Sequence, residues 1–503
     1  MMVLKLYKMK KYKLFTILLV ISLLSCSDFL EEDPQSLLSP GTFPSSPSDA
    51  ELFLNGIGDD DLNSGFYFDE SFFQLAQGSS DESTSDDSDN SRFDIDHYTF
   101  LTNNRHVLDV YQASFRVINE ANTLIGAIEG QEWAPRYLGG ARFYRAWMYF
   151  NLVRLYGGNL PLVDKPTESL DASFQPVRDV EAIYRFIESD LLFAEANAPA
   201  SWTGSSAVPD DGRPTSGAAK TMLAKLYLTW AGWPIKDNSR WEMAASKARE
   251  VIDMGLYSLV TDFSELWTHW GTPQETTMEN ILSFHYVNQA PTRITRHFRP
   301  NEFGGGSRGT GRFLASEVTL NQFSDADSRK AATFITEFDK GGGNIITYTD
   351  NWGGNNELAG EPVCIKYDVD NSTYSGLNRA SAANINIFRY AEVLLILAEA
   401  DNEANGGPTA RAYDAINQVR VRANMPELSG LSQNAFRDAV RDEWTFELAY
   451  EAKRRFNLVR WELFDSVMSA DARASDGYQP HMIYYPLPEL EIGLTGWQQT
   501  EGY

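Results

Sequence analysis

The sequence predicts a mostly α fold in which irregular helix pairs are interrupted by a loop-rich, partly β insertion. Two observations support this prediction. Apolar and aromatic residues recur at three- and four-residue spacing in several long segments, which is the pattern of helices with one buried face. Between residues 261 and 383 this periodicity fades into stretches rich in glycine, asparagine, threonine and aromatic residues, which predict long loops with some short strands.

The first 25 residues have the pattern of a secretory signal peptide. Lysines precede an apolar run at positions 14–24, which is too short for a hydrocarbon core that needs about 20 residues. Met9 is an alternative start, because the stretch MKKYKLF already supplies a basic region. The Leu-Leu-Ser-Cys sequence that ends at Cys26 resembles the bacterial lipoprotein box, so we expect removal of residues 1–25 and lipidation of Cys26. The alternative is an incidental thiol in a cleaved leader.

An acidic stretch follows Cys26. Its acids resemble the tag that carries Bacteroidetes lipoproteins to the outer face of the outer membrane, and they equally fit a solvated tether. The two interpretations are compatible. We therefore expect a lipid-anchored protein of the cell outer membrane that faces the exterior. The acids in question are Asp28, Glu31, Glu32 and Asp33.

The mature chain is strongly acidic. Without residues 1–25, which contain five lysines and no acid, 38 basic and 69 acidic residues remain, for a net charge of −31. Nucleic acids and anionic lipid surfaces are bound by basic clusters, so we exclude nucleic acid as a partner and expect membrane attachment through the lipid anchor only. Cys364 is the one other cysteine after cleavage, so no internal disulfide is expected.

Three segments carry the strongest helical pattern, and each is expected to bury one face. The first, ARFYRAWMYFNLVRLYGG, ends at Gly157 and Gly158, which stop a helix. The second, GRPTSGAAKTMLAKLYLTWAGWP, opens with Pro214 and Thr215, which favour a helix start. The third, FRYAEVLLILAEADNEANGG, has Phe388 on its predicted apolar face and ends at a Gly-Gly pair.

Each of these helices has a predicted helical partner. Small residues at a crossing, with aromatic residues one turn away, let two helices approach closely, as in helix pairs of the tetratricopeptide kind. The starts at Ala141, Ala218 and Ala391 are unevenly spaced, so the pairs do not form a regular array. The partner segments are 106–128, 180–196, 241–254 and 409–422.

A polar tract, GSSDESTSDDSDNS at residues 78–91, is predicted to be a flexible surface loop. Its acids lack the central glycine and terminal glutamate of an EF-hand, so it does not predict a calcium loop of that type.

No catalytic or metal-binding motif fits its context. GGGSRG at residues 304–309 matches both a dinucleotide-binding pattern and a nucleophile elbow, but a strand before it and a helix after it are not predicted. The six histidines show no metal-ligand spacing. Glu447, Glu451, Arg454 and Arg460 fall at helical spacing and are predicted to form structural ion pairs. We therefore expect a protein that is not an enzyme and that needs neither cofactor nor metal.

Several motifs follow one another in a recognisable order. They are the lipoprotein box with its acidic tag, RFYRAWMYFNLVRLYGGNLPLV, GRPTSGAAKTMLAKLYL, RYAEVLLILAEADNEANG, AINQVRVRANMP, EWTFELAYEAKRRFNLVRW and YYPLPELEIG. Over nearly the whole mature chain they resemble the SusD/RagB family of Bacteroidetes nutrient-binding lipoproteins. The family's usual arginine, glycine and aspartate in the EWTF segment are Trp444, Ala452 and Asn457 here.

The resemblance implies a SusD-like fold with four irregular tetratricopeptide-like helix pairs in one compact body. We expect an N-terminal part at 26–260, a loop-rich ligand-binding insertion at 261–385 and a RagB/SusD C-terminal part at 386–503. The family's activity is binding without catalysis. The resemblance further implies a SusC-like TonB-dependent outer-membrane transporter as partner and a nutrient ligand, most often an oligosaccharide.

Aromatic side chains in the loop-rich half are the candidates for glycan contacts, because an aromatic ring packs on the apolar C–H face of a pyranose. Trp270 and Trp352 stand among polar residues and glycines. Trp267 is a further candidate, although it continues the apolar Phe263 and Leu266 and therefore also fits the core.

Other candidates lie at two further places. Phe66 and Tyr67 occur in the polar setting NSGFYFDESFF, although alternation could bury part of this run. Arg293 and His297 would supply hydrogen-bond donors to sugar hydroxyls.

Three functions remain open at this point. The first is capture of an oligosaccharide or polysaccharide, the second is the same scaffold binding peptides or another nutrient, and the third is a lipoprotein hydrolase. Neighbouring transporter and glycoside hydrolase genes would favour the first function, peptidase genes the second, and turnover by the pure protein the third.

Overall fold

The computed structural model describes residues 43–63, 67–68, 70–85, 89–167, 175–204, 210–267, 277–286, 292–298, 312–339, 343–349, 361–367 and 381–503. Across these ranges, no helix combines the length and the apolar character that crossing a membrane requires.

The fold is mostly helical, as predicted. In chain order the described helices are α1 (Pro47–Gly56), α2 (Asp59–Asn63), α3 (Ser71–Ala76), α4 (Asn90–Asp96), α5 (Arg105–Ile128), α6 (Pro135–Tyr156), α7 (Val180–Asn197), α8 (Ser216–Ala231), α9 (Arg240–Asp253), α10 (Ile294–Phe298), α11 (Glu317–Gln322), α12 (Ser328–Thr333), α13 (Tyr390–Asn405), α14 (Ala410–Arg422), α15 (Gln433–Leu448), α16 (Arg454–Arg460), α17 (Phe464–Ala470) and α18 (Glu489–Thr495).

The strands are short and occur mainly in the predicted insertion. They are β1 (Ser83–Ser85), β2 (Leu160–Pro161), β3 (Val177–Arg178), β4 (Asn280–Phe284), β5 (Phe313–Ala315), β6 (Phe334–Ile335), β7 (Glu337–Asp339), β8 (Ile345–Thr347), β9 (Val363–Cys364) and β10 (Ile385–Arg389). They form antiparallel two-stranded pairs, namely β1 with β5, β10 with β4, β2 with β3, β6 with β9 and β7 with β8.

The long helices form a continuous stack in which each packs on the next. Helix α5 packs on α6, α6 on α7, α7 on α8, α8 on α9, α9 on α13, and α13 on both α14 and α15. This arrangement confirms the predicted helix pairs. We refer to α5–α9 and α13–α15 together as the helix stack.

Local signals set the helix ends where the sequence predicts them. The Thr215 hydroxyl accepts a hydrogen bond from the Ala218 N–H at 3.2 Å and caps the start of α8. Helix α6 ends at Gly157, whose φ is +75°, and α13 ends at Gly406, whose φ is +68°. Both glycines adopt backbone conformations that side chains disfavour, so the chain leaves the helix there.

Three sequence predictions need correction. Helices α6 and α8 bury residues on nearly all sides, because neighbouring helices cover them from more than one direction. Phe388 belongs to strand β10, which directly precedes α13. The polar tract is not an exposed loop over its first half, because Ser79 to Thr84 are largely buried where β1 pairs with β5.

A buried network of opposite charges joins the insertion to the C-terminal helices. Arg389 donates to Glu279 at 2.6 Å, to Glu447 at 2.9 Å and to Glu451 at 2.8 Å. Arg329, from the insertion, donates to Glu447 at 3.2 Å, and all five of these side chains are buried. We refer to this set as the buried ion network.

The four charged residues of the C-terminal segment that were predicted to pair with one another therefore pair with residues elsewhere in the sequence. Glu447 and Glu451 pair with Arg389, as described above. Arg454 pairs with Asp81 at 2.7 Å, and Arg460 pairs with Glu399. The prediction that these residues are structural is confirmed, whereas the helical pairing of one with another is wrong.

The reason for the different pairing is a break between α15 and α16. Tyr450 and Ala452 have φ values of +64° and +55°, which end the helix at Leu448. The N–H of Tyr450 donates to Glu82 at 3.2 Å, and that of Ala452 donates to Gln77 at 3.1 Å. Ala452 stands where the resemblance implies a glycine, and here its backbone is left-handed.

The C-terminal residues return to the first helices of the stack. The Tyr485 N–H donates to the Leu155 carbonyl at 2.8 Å, and the Glu489 N–H donates to the Thr102 carbonyl at 3.0 Å. Helix α18 therefore lies beside α5.

Candidate functional site

Four predicted site residues lie outside the described part of the chain. They are Cys26, Phe66, Trp270 and Trp352. Their roles remain predictions.

Tyr67 and Trp267 lie in the interior, which contradicts their predicted contact with ligand. The Tyr67 ring stacks on Phe72 at a centroid distance of 4.9 Å, and its hydroxyl accepts a hydrogen bond from Asn151 at 3.0 Å. The Tyr67 side chain has an exposed fraction of 0% and Trp267 of 4%. The Lys366 ammonium lies 4.9 Å from the Trp267 ring centroid. Trp267 therefore fits the alternative interpretation, in which it is a core residue.

His297 is also buried, whereas Arg293 is exposed. Burial lowers the pKa of His297 well below its usual value, and Arg312 nearby acts in the same direction. A buried neutral imidazole contributes to packing, so the prediction that His297 binds ligand is contradicted. Arg293 lies just before α10, on the surface of the insertion, and stays a predicted ligand contact.

A cluster around Glu70 ties the insertion to the first helices. The Glu70 carboxylate accepts from Arg92 at 2.9 Å, from Arg105 at 3.1 Å and from Arg312 at 2.7 Å. Burial alone would raise the pKa of Glu70, but the guanidinium groups of Arg312 and Arg105 nearby outweigh it and lower that pKa to about 2. Glu70 is therefore ionised at neutral pH and holds Arg312, at the start of β5, against α4 and α5.

A groove opens between α5 and α18, and of the predicted site residues that the structure describes, Tyr67, Trp267, Arg293 and His297, none lines it. Its volume is about 600 Å³, which lies in the range of small-molecule sites. Helix α5 supplies Tyr111 and Phe115, and the residues after α18 supply Trp497. The Tyr111 and Phe115 rings lie 4.8 Å apart, and Phe115 and Trp497 are half-buried, so part of each ring faces the groove.

Polar side chains surround these rings. The side-chain oxygen of Asn119 accepts a hydrogen bond from the Thr167 N–H at 2.9 Å, which fixes the orientation of the side-chain amide. Gln112 donates weakly to Glu491 at 3.5 Å, across the groove. Arg116 pairs with Asp61 at the rim. Within the described ranges, the Asn119 amide nitrogen and the Trp497 indole nitrogen make no hydrogen bond to the protein.

The sequence contained only a weak signal for this groove. Tyr111 and Phe115 are four residues apart on a helix, a spacing that equally fits core packing. Trp497 lies near the far end of the chain, and only the return of the C-terminal residues to α5 brings it to the same place. Nothing local connects the two.

Within the described ranges, no group of three or more His, Cys, Asp or Glu side chains could hold a metal ion.

The fold defines a helical-repeat scaffold with an insertion, and comparison with known proteins specifies its family. A family model described as the SusD family matches residues 283–485, and one described as starch-binding associating with outer membrane matches residues 28–228. The chain belongs to the SusD/RagB family.

Individual relatives match over nearly their full length. SusD-like protein P25 of Formosa agariphila is 26% identical over 95% of each chain. The crystal structure of a SusD homolog from Bacteroides thetaiotaomicron has a TM-score of 0.79 and 25% identity, and the match covers 92% of this chain and 98% of that one. A laminarin-binding SusD-like protein has a TM-score of 0.74 at 22% identity, and the match covers 91% of this chain and 99% of that one.

Proposed function

We propose that this protein is a non-catalytic cell-surface lipoprotein that captures an oligosaccharide or polysaccharide and delivers it to a SusC-like TonB-dependent transporter. One observation carries the proposal: a model described as starch-binding associating with outer membrane matches the N-terminal half of the chain. The laminarin-binding protein has the same fold, and its 22% identity supports the scaffold rather than the choice of glycan.

The architecture supports a binding function. The helix stack is a packed platform, and the buried ion network and the Glu70 cluster attach the insertion to it at two places. Loops held on a rigid scaffold commonly carry binding residues. We assign the ligand contacts to the insertion residues Trp270, Trp352 and Arg293.

A comparison of three tryptophans tests this assignment. Trp270→Ala or Trp352→Ala should weaken binding of the glycan by roughly 1 to 3 kcal/mol, the range found for one stacking platform in other ligands, with an unchanged melting temperature. Trp267→Ala is the matched control, because its buried ring should lower the melting temperature instead. Isothermal titration calorimetry and thermal melting measure the two effects. Unchanged affinity in both loop variants would refute the assignment.

The anchor is tested separately. Cys26→Ser should release the protein from the outer-membrane fraction of cells that lack the transporter, because the lipid is the proposed attachment. Retention of this variant in that fraction would contradict the lipoprotein proposal.

Catalysis is tested with the purified protein and the glycan that it binds. We expect no hydrolysis. Reproducible turnover that disappears when one carboxylate is changed would show that the protein is an enzyme.

A further inference from the structure

We propose that the groove between α5 and α18 is a second binding site, specific for neutral oligosaccharides. It goes beyond the function proposed above, because it lies on the helix stack and uses none of the insertion residues assigned there.

The aromatic lining supplies a surface for sugar rings. Phe115 and Trp497 are half-buried and line the groove from its two sides, Phe115 from α5 and Trp497 from the residues after α18. Beneath Phe115 lies Tyr149, at 6.2 Å between ring centroids and with perpendicular planes, which supports the outer ring from below. Rings held in this way offer an apolar contact at low cost in conformational entropy.

The polar lining supplies partners for hydroxyl groups. A sugar hydroxyl both donates and accepts, so a site needs donors and acceptors close together. Asn119 presents an amide nitrogen whose orientation is fixed by the hydrogen bond from Thr167 to the carbonyl oxygen of the same amide. Across the groove, Glu491 presents carboxylate oxygens, of which one accepts only the long 3.5 Å bond from Gln112.

The charges determine which sugars fit. Asp61, Glu120 and Glu491 line the groove together with a single described cation, Arg116, which pairs with Asp61. The excess of negative charge repels uronic acids and sulfated sugars. Two of the three carboxylates already have partners within the protein, because Asp61 pairs with Arg116 and Glu120 accepts the Gly58 N–H at 2.7 Å. Neutral hexose chains fit the aromatic rings without charge repulsion.

The proposed site is limited to the α5 side of α18. On the other side of this helix, a second depression of about 500 Å³ is lined by Leu490, Leu494 and Leu108 without any aromatic ring. That surface lacks the ring platform on which the proposal depends.

Calorimetry on the full-length protein tests the proposal, with maltohexaose, laminarihexaose, cellohexaose and mannohexaose as neutral probes and hexagalacturonate as the anionic probe. The background is the double variant Trp270→Ala/Trp352→Ala, which removes the proposed insertion contacts. In it we expect at least one neutral probe to bind and hexagalacturonate not to bind. Adding Trp497→Ala should weaken that binding about tenfold, equivalent to one stacking contact.

Two controls separate binding from folding. Trp497→Phe keeps a ring and should restore most of the affinity. Trp241→Ala removes a half-buried tryptophan of α9 outside the groove and should leave the affinity within twofold. Hydrogen exchange should also slow in α18 (Glu489–Thr495) when the neutral probe is added.

The outcomes are distinct for the two proposals. If the double variant binds no neutral probe, or if Trp497→Ala leaves its affinity unchanged, the groove proposal is wrong. Binding by the wild type that the double variant abolishes would still support the insertion as the glycan site. Equal affinity for hexagalacturonate would overturn the specificity for neutral chains.

Discussion

The helix stack and the insertion share one apolar core, and buried ion pairs add to the attachment of the insertion. In the stack, aromatic and aliphatic side chains pack in a single large core, which contains fully buried residues such as Trp230 and Leu394. The same core continues into the insertion through residues such as Phe298 and Phe313, a small satellite core surrounds Leu314 and Val363, and charged side chains also fix the insertion to the stack. Apolar burial stabilises without direction, whereas ion pairs need defined geometry. Apolar burial therefore stabilises both regions, and the ion pairs add a defined geometry to the attachment of the insertion.

The largest expected effect tests the apolar side of this comparison. The Tyr149 ring packs on Phe186 at a centroid distance of 5.4 Å, and its hydroxyl accepts from the Val163 N–H at 2.7 Å. Tyr149→Ala should lower the free energy of unfolding by about 4 kcal/mol, because it leaves a cavity in the core. Tyr149→Phe keeps the ring and should cost only about 1 kcal/mol. Urea denaturation measures both, and equal losses would show that the hydroxyl rather than the ring matters.

A somewhat smaller effect tests the charged side. Burial raises the pKa of Glu447, but the guanidinium groups of Arg422 and Arg389 outweigh it, so the carboxylate is ionised. Glu447→Gln keeps the shape and removes the charge, and should cost about 3 kcal/mol, because the buried guanidinium groups lose their counter-charge.

Glu462→Gln is the surface control for this prediction. Its side chain is 53% exposed and pairs with Lys236, so it should change the free energy of unfolding by less than about 1 kcal/mol. The same loss in both variants, measured by urea denaturation, would mean that burial adds nothing to the importance of the ion pairs.

A pH-dependent effect contrasts two buried carboxyl groups. Burial raises the pKa of Glu82 to about 7, from an ordinary value of 4.5. The fold therefore favours its protonated form, and this contribution to stability is fully present below pH 4.5 and is lost as the pH rises through 7. Glu82→Gln should abolish this dependence, so that the variant gains about 2 to 3 kcal/mol over the wild type between pH 5 and pH 8.

Glu70→Gln provides the opposite case. The pKa of Glu70 is lowered to about 2, so its contribution is present above pH 4.5 and is lost as the pH falls toward 2. This variant should therefore be less stable than the wild type at pH 7. Denaturation curves at four pH values compare the two variants, and parallel pH profiles for both would contradict the contrast.

The smallest expected effect concerns the break between α15 and α16. Ala452 has a φ of +55°, which is strained for a residue with a side chain. Ala452→Gly should raise the free energy of unfolding by roughly 1 kcal/mol. Ala449→Gly is the matched control at a negative φ of −50° and should lower it by about 0.5 kcal/mol. A lower urea midpoint for Ala452→Gly would show that the side chain contributes more than the strain costs.

Sequence patterns predicted the parts of the fold that depend on neighbours in the chain. The start of α8 at Thr215 and the end of α6 at Gly157 follow from local chemistry, and the long helices follow from their periodicity. The break after Leu448 was missed, because its stabilising acceptors, Gln77 and Glu82, come from a distant segment.

The candidate site was harder to predict than the fold. Tyr67 stands in a polar stretch and Trp267 follows the apolar Phe263 and Leu266, and both are buried. Asn151 donates to the Tyr67 hydroxyl and Lys366 lies over the Trp267 ring, and both of these contacts come from distant parts of the chain. A polar neighbourhood in the sequence does not determine exposure, which depends on residues brought in by the fold. The groove shows the same limit, since Phe115 and Trp497 meet only through tertiary structure.

The return of the C-terminal residues to the first helices sets an order of events during biosynthesis. The partners of Leu155 and Thr102 are Tyr485 and Glu489, which leave the ribosome more than 300 residues later. Until then, the flanks of α5 and α6 lack their cover, and contacts of such long sequence separation form slowly. Until these C-terminal residues dock, the chain therefore exposes apolar surface, and partly folded species of this kind are prone to aggregate.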